Sequence, residues 1–193
     1  MKIMNFSDKF SHTKAVLNGE KTMMRFPLDK NVPLGNWMDT EKHLPFQQGD
    51  VVAIAQSYHS IYLSKLSKIN NINNKTSYNG NTEKDALLDF KKQYESFKGW
   101  HDKKYVHPRL MVNHIIITDV RVERVQDISD EECIAEGVFC GLNIPHECLW
   151  FTTPREVFIK LFDEINGHGA WDDNPYVVVY NFKLNDNENG IDI

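Results

Sequence analysis

Ile115-Ile116-Ile117-Thr118-Asp119-Val120-Arg121-Val122-Glu123-Arg124-Val125 is the stretch on which the fold turns. Consecutive β-branched residues followed by alternation of Val with charged residues predict a long strand, Met111 to Val125, that buries one face and wets the other. On this reading Arg121 and Arg124, around Glu123, form a solvated strand face. Downstream, Ser129-Asp130-Glu131-Glu132 is a capping box that opens a helix ending at Gly137. Thr153-Pro154-Arg155-Glu156 is a second capping box, with Pro at the first helical position. Its helix carries Val157, Phe158, Leu161, Phe162 and Ile165 and ends near Gly167. Tyr176 to Phe182 reads as a terminal strand, and residues 184–193 as a frayed tail.

Working upstream, Ser7 to Asn18 predicts a short helix closed by Gly19, and Lys21 to Phe26 an extended segment. Pro27, Pro33 and Gly35 punctuate a loop up to Gln48. Gly49-Asp50 then launches a buried strand from Val51 to Tyr58. Residues 65–81 hold six Asn in seventeen positions and few large apolar groups, which predicts a long exposed loop or insertion. Residues 84–97 show Leu87, Phe90, Tyr94 and Phe97 at helical spacing and predict an inserted amphipathic helix. Short strands among helices and long loops indicate an α+β domain over residues 1–183, with a small barrel or strongly bent sheet.

Composition narrows the function classes. The 193 residues are 41% hydrophobic and 25% charged, a globular mix. The net charge of -5 excludes a polycation that coats nucleic acid by charge alone. The charge is uneven: residues 1–30 carry six Lys/Arg against three acids, whereas residues 101–193 carry eight against seventeen. An anionic ligand is therefore expected to meet the N-terminal part. No apolar run approaches the roughly 20 residues of a membrane span, and the N-terminus lacks an apolar signal core, so no membrane partner and a cytoplasmic location are expected. Cys133, Cys140 and Cys148 have neither CxxC nor disulfide-framework spacing and read as reduced, packed thiols. With His107, His114 and His146 they lack metal-ligand spacing, so neither a metal nor a cofactor is expected.

No P-loop, GxGxxG, HExxH or GxSxG is present. What remains is Gly19-Glu20-Lys21-Thr22-Met23-Met24-Arg25, a turn that offers two cations and a hydroxyl to a phosphate or a base edge. Four blocks together resemble the ASCH domain family in its phage and prophage form. They are Val16 to Arg25; Gln48-Gly49-Asp50-Val51-Val52; Pro108-Arg109 with Ile117 to Ser129 and Ala135-Glu136-Gly137; and Phe162 to Gly167 with Trp171 to Val177. The resemblance implies a PUA-like fold, a small, mostly antiparallel β-barrel flanked by helices, with a cleft for RNA or a modified nucleoside.

Members of the wider family include RNA-binding modules, a ribonuclease type, and amidohydrolases that deacylate N4-acylcytidine. In those amidohydrolases the motif's Lys, its second Thr and a barrel-strand Glu form the catalytic set. Lys21 matches the Lys and Thr22 the first Thr, so these two would carry catalysis if the chain were an enzyme. The second Thr is Met24 here, a thioether with no proton to lose, and the Glu is Gln56, which exchanges no proton near pH 7. The substitutions point away from catalysis and toward binding. The expected ligand is RNA or a nucleoside-like molecule, held by Lys21, Thr22, Arg25, Gln56, Tyr58 and Arg109. Closure of the barrel would set Lys21 and Gln56 side by side on one cleft wall, with Tyr58, Trp100 or Tyr105 available to stack. A hydrolase and a phage-encoded protein-interaction module are the alternatives.

Overall fold

The computed structural model describes residues 1–73, 80–138 and 153–185. The five strands among them are β1 (Lys2–Met4), β2 (Met23–Pro27), β3 (Val51–Ile54), β4 (His114–Arg124) and β5 (Tyr176–Leu184). The helices are α1 (His12–Leu17), α2 (Trp37–Lys42), α3 (Tyr58–Asn73), α4 (Gly80–Tyr94), α5 (Asp130–Ala135) and α6 (Pro154–Asn166). The sheet runs β1-β3-β4-β5-β2, antiparallel except for the parallel β1–β3 pair. It is an α+β architecture, and the expected barrel is not formed: the sheet ends on two short edge strands, β1 and β2, each paired on one side only.

The β4–β5 pairing organises both faces. Its register shifts between Ile117 and Asp119, leaving Thr118 as the extra residue of a bulge. Because side chains alternate with period two, one inserted residue swaps the phase. Ile115, Ile117, Val120 and Val122 therefore all pack in the cluster that holds Tyr180, Phe182, Phe6 and Val16. Arg121 and Glu123 fall on the opposite face, beside register partners Val179 and Val177, which pack with Met23, Phe158 and Phe162. Both capping boxes are present, Ser129–Glu132 on α5 and Thr153–Glu156 on α6, and they set the two helices that cover this second face.

Three expectations are corrected. The strand from Gly49-Asp50 ends at Ile54, because the Ser57 hydroxyl accepts from the Ser60 N–H (3.1 Å) and the Ser57 carbonyl from the Ile61 N–H (3.0 Å), starting α3. The loop expected over residues 65–81 is helical as far as Asn73, and α4 resumes at Gly80. Tyr58, Ile61 and Ile69 share one buried stripe at helical spacing, and that packing outweighs the poor helix propensity of Asn. The frayed tail expected over residues 184–193 is corrected at its first two residues: Leu184 is in β5, and the Asn185 N–H donates to the His114 carbonyl (2.9 Å). Residues 74–79, Cys140, His146, Cys148 and residues 186–193 lie outside the described residues.

After α4 the chain makes three single 3₁₀ turns, Lys98–Trp100, Lys103–Tyr105 and Pro108–Leu110, before entering β4. Gly99 anchors this run. A Cβ there would stand 2.6 Å from the Tyr58 ring and 2.9 Å from the Tyr105 carbonyl, so only glycine allows the turn to seat against α3. Gly99→Ala should destabilise the protein by about 1–3 kcal/mol through overpacking. Urea unfolding followed by circular dichroism checks this; an unchanged midpoint would show that the turn does not bear on α3.

Candidate functional site

Lys21 leaves the turn after α1 with its N–H bonded to the Ala15 carbonyl (3.1 Å) and its side chain pointed inward. It is 1% exposed, and its Nζ donates to the Glu136 carbonyl (2.7 Å) and Oε2 (2.6 Å). Glu136 lies just past α5, where Gly137 turns the chain at φ +86° and a Cβ would sit 3.2 Å from that of Lys21. A side chain at Gly137 would push α5 off the lysine.

Arg25, on β2, is likewise buried. Its Nη2 donates to Glu123 and Glu132 at 2.7 Å each, and its Nη1 to Glu136 at 3.2 Å. Arg121 contacts the same two carboxylates, through Nε to Glu123 (2.8 Å) and Nη2 to Glu132. Arg25, Glu123, Arg121 and Glu132 thus close a four-membered ring of charges, and Glu136 links Arg25 to Lys21. Glu132 also accepts from the Ser129 N–H (3.2 Å), so the residue that caps α5 is the one that bridges the guanidiniums. Burial alone would lower the Arg25 pKa; Glu136, Glu123 and Glu132 more than reverse it, and the pKa is raised. Burial would raise the Glu123 pKa, but hydrogen bonds from Arg25 and Arg121 hold it below the usual carboxylate range.

A cavity of about 40 Å³ opens against this network, with His12, Arg25 and Glu136 as its polar wall and Phe158, Phe162 and Asn166 of α6 opposite. His12 Nδ1 and Arg25 Nε are buried and have no hydrogen-bond partner among the described residues. Such nitrogens are uncommon in proteins and ask for a water or ligand atom. Burial, together with Lys21 and Lys103, pushes the His12 pKa down to about 3, so at neutral pH the ring offers one donor and one acceptor without charge.

The other expected site residues are placed differently. Thr22 is exposed; its N–H donates to the Ala135 carbonyl and its carbonyl accepts from the Phe182 N–H, both at 2.9 Å. Gln56 is 1% exposed, accepting from Asn113 Nδ2 (2.7 Å) and donating to Ser60 Oγ (3.4 Å). Tyr58 is buried, with its ring on Tyr94 and its hydroxyl accepting from the His107 N–H (3.3 Å). Arg109 is exposed on the third 3₁₀ turn. Strands β4 and β5 stand between β2 and β3, a separation of about 14 Å. The expectation of Lys21 and Gln56 as neighbouring strand-borne groups on one wall is therefore corrected. Lys21 and Arg25 belong with Glu136, and Gln56 and Tyr58 belong with α3.

Sequence reasoning missed His12, Glu136 and the ring carboxylates. The solvated face assigned to Arg121 and Glu123 is covered by α5 instead. The available signal was Glu132 as the last residue of a capping box, with Glu136 four residues on along the same helix face. Cys133 is a buried free thiol, pushed up to about 12 by burial. Among the described residues no His, Cys, Asp and Glu group could hold a metal ion, and no helix is long and apolar enough to cross a membrane.

No family profile and no curated protein matches the chain. Two solved structures are similar to it. One is an ASCH domain from Lactobacillus crispatus, 14% identical, with a TM-score of 0.38 over 89% of this chain and 69% of that one. The other is a DUF984 protein from Enterococcus faecalis, also 14% identical, with a TM-score of 0.42 over 95% of this chain and 80% of that one. Both likenesses are loose, and the functional reading rests on the site.

The depressed His12 pKa has a stability consequence. Below pH about 6.5 the unfolded chain binds a proton at this histidine that the folded chain refuses until about pH 3, so stability falls as pH drops through that window. The slope should approach about 1.4 kcal/mol per pH unit before the carboxylates titrate. His12→Phe should flatten the pH 6.5–5 segment. A His12 ring resonance that titrates near pH 6.5 in the folded protein would contradict the assignment.

Proposed function

We propose that this protein is a non-enzymatic binder of a nucleobase-bearing ligand, a nucleoside or an unpaired RNA base, in the manner of ASCH-type modules. The observation that carries the reading is a pair of buried nitrogens without a partner among the described residues, His12 Nδ1 and Arg25 Nε, on two residues that line one cavity with Glu136. A neutral ring nitrogen, a guanidinium N–H and a carboxylate suit a planar edge bearing carbonyl and amino groups. At about 40 Å³ the cavity admits that edge rather than a whole base, whose ring would rest on the lip, where Ile165 is 45% exposed. The phosphate-clamping role first expected of Lys21 and Arg25 is set aside, since both cations are neutralised internally. Thr22, exposed just before β2, stays available to the rest of the ligand.

One observation favours the hydrolase alternative: a buried Lys21–Glu136 pair at 2.6 Å supplies the lysine–carboxylate couple that Gln56 lacks. Met24 still removes the second threonine, and Thr22 is the only hydroxyl the motif retains.

Binding of cytidine, uridine, adenosine, guanosine and N4-acetylcytidine, followed by amide chemical shifts and by melting temperature, tests the proposal. At least one should bind and perturb residues of α1, β2 and α6. His12→Phe should weaken it about five- to a hundredfold, the cost of one buried partner lost, and no acetate should be released. Absence of binding to all five, or equal binding by His12→Phe, would overturn the pocket; acetate release that disappears in Lys21→Met would move the protein to the hydrolases.

A further inference from the structure

A second surface, distant in sequence from the cavity residues, carries a different chemistry. Residues 91–109 hold six Lys/Arg against two acids in a chain whose net charge is -5. In the 3₁₀ segment the cations take two directions. Lys103 turns inward to Asp8 (2.9 Å), Thr13 Oγ1 (3.3 Å) and the Phe6 carbonyl. Lys98, Lys104 and Arg109 are exposed and form no ion pair among the described residues. Two large exposed rings adjoin these lysines in sequence, Phe97 (57%) before Lys98 and Tyr105 (58%) after Lys104, and the Lys98 ammonium lies 5.5 Å from the Tyr105 ring centroid.

The segment is also rigidly seated. The Gly99 contact with Tyr58, the His107 N–H on the Tyr58 hydroxyl and the Lys103 anchor tie all three turns to the body of the fold. Exposed cations interleaved with exposed aromatic rings on a fixed support are the chemistry that meets a flexible polyanion with unstacked planar groups. A folded acidic protein would use the cations and leave the rings without a planar partner; a duplex would keep its bases stacked on one another.

We propose that Phe97, Lys98, Lys104, Tyr105 and Arg109 form a docking surface for single-stranded nucleic acid. The cations meet successive phosphates, and Tyr105 and Phe97 stack on the intervening bases. The surface stands on its own residues and holds whether or not the cavity takes a nucleoside.

The test is fluorescence anisotropy of the intact protein with labelled oligo-U and oligo-dT across a salt series. Three variants accompany it: Lys98→Ala/Lys104→Ala/Arg109→Ala, Tyr105→Ala, and a charge-matched control, Lys14→Ala/Lys30→Ala/Lys42→Ala, at three other exposed lysines. Both oligomers should bind if backbone and base faces are what is read; preference for oligo-U would add ribose recognition to the same surface. The surface triple should lose at least tenfold in affinity and about two units of salt slope, at about 0.7 per phosphate contact. Tyr105→Ala should lose roughly five- to 150-fold with the slope kept. The control should bind like the parent. Equal losses in the two triple variants, unchanged binding by the surface triple, or binding only to an acidic peptide or to anionic vesicles would overturn the proposal. His12→Phe in the same assay keeps the readings distinguishable, because oligomer binding that survives in it while nucleoside binding is lost assigns the two sites separately.

Discussion

Three cations, Lys21, Arg25 and Arg121, lie between one sheet face and the chain of α5, and what they meet there governs the rest of the molecule. An ammonium or guanidinium taken out of water without a partner costs several kcal/mol, which a domain of this size cannot absorb. The offset comes from three carboxylates, Glu123, Glu132 and Glu136, each within hydrogen-bond distance of at least one of the cations. Every structural feature around them serves that meeting. The Thr118 bulge rotates Glu123 and Arg121 onto the covered face, the Ser129 cap fixes the first turn of α5, and Gly137 lets the helix end come down onto Lys21.

In the proposed function the same arrangement makes the pocket a binder of a planar edge rather than a phosphate clamp. A cation already saturated by carboxylates has little left for a phosphate, so the proposed ligand would meet what the network leaves unsatisfied among the described residues: one guanidinium Nε and one neutral imidazole nitrogen. His12 is held neutral by its burial and by the nearby charges of Lys21 and Lys103. Free cations occur elsewhere, on the 3₁₀ segment, where nothing neutralises Lys98, Lys104 and Arg109 among the described residues. One chain thus separates two electrostatic tasks, a satisfied interior network and an unsatisfied exterior surface.

Much of the fold was legible in the sequence because the signals were local. Both capping boxes, the alternating run from Val120 to Glu123 and the terminal strand from Tyr176 follow from spacing within a few residues. The errors arise where a non-local term wins. The Asn-rich stretch is helical up to Asn73 because Tyr58, Ile61 and Ile69 are buried along one helix face, which composition does not reveal. Tyr58 begins a helix because Ser57 caps it, while the β-branched run before it argues for strand. The site was legible only in part. Lys21 and Arg25 stood out by residue type, but their burial depends on Glu132 and Glu136, more than a hundred residues away, and no pattern in the sequence pairs them. His12 was invisible for the same reason: a lone histidine acquires meaning only from the lysines that fold around it.

The central claim is that Lys21 and Glu136 are buried as a pair that each depends on, and a double-mutant cycle on folding stability tests it directly. Lys21→Met and Glu136→Leu should each cost about 3–5 kcal/mol, because the first leaves the buried Glu136 carboxylate with Arg25 as its cation and the second takes the carboxylate from the buried Lys21 ammonium. The double variant should lose no more than either single one, giving a coupling above about 2 kcal/mol. Single variants that each lose less than about 1 kcal/mol and combine additively would contradict the account, and would return Lys21 to solvent and to an external ligand.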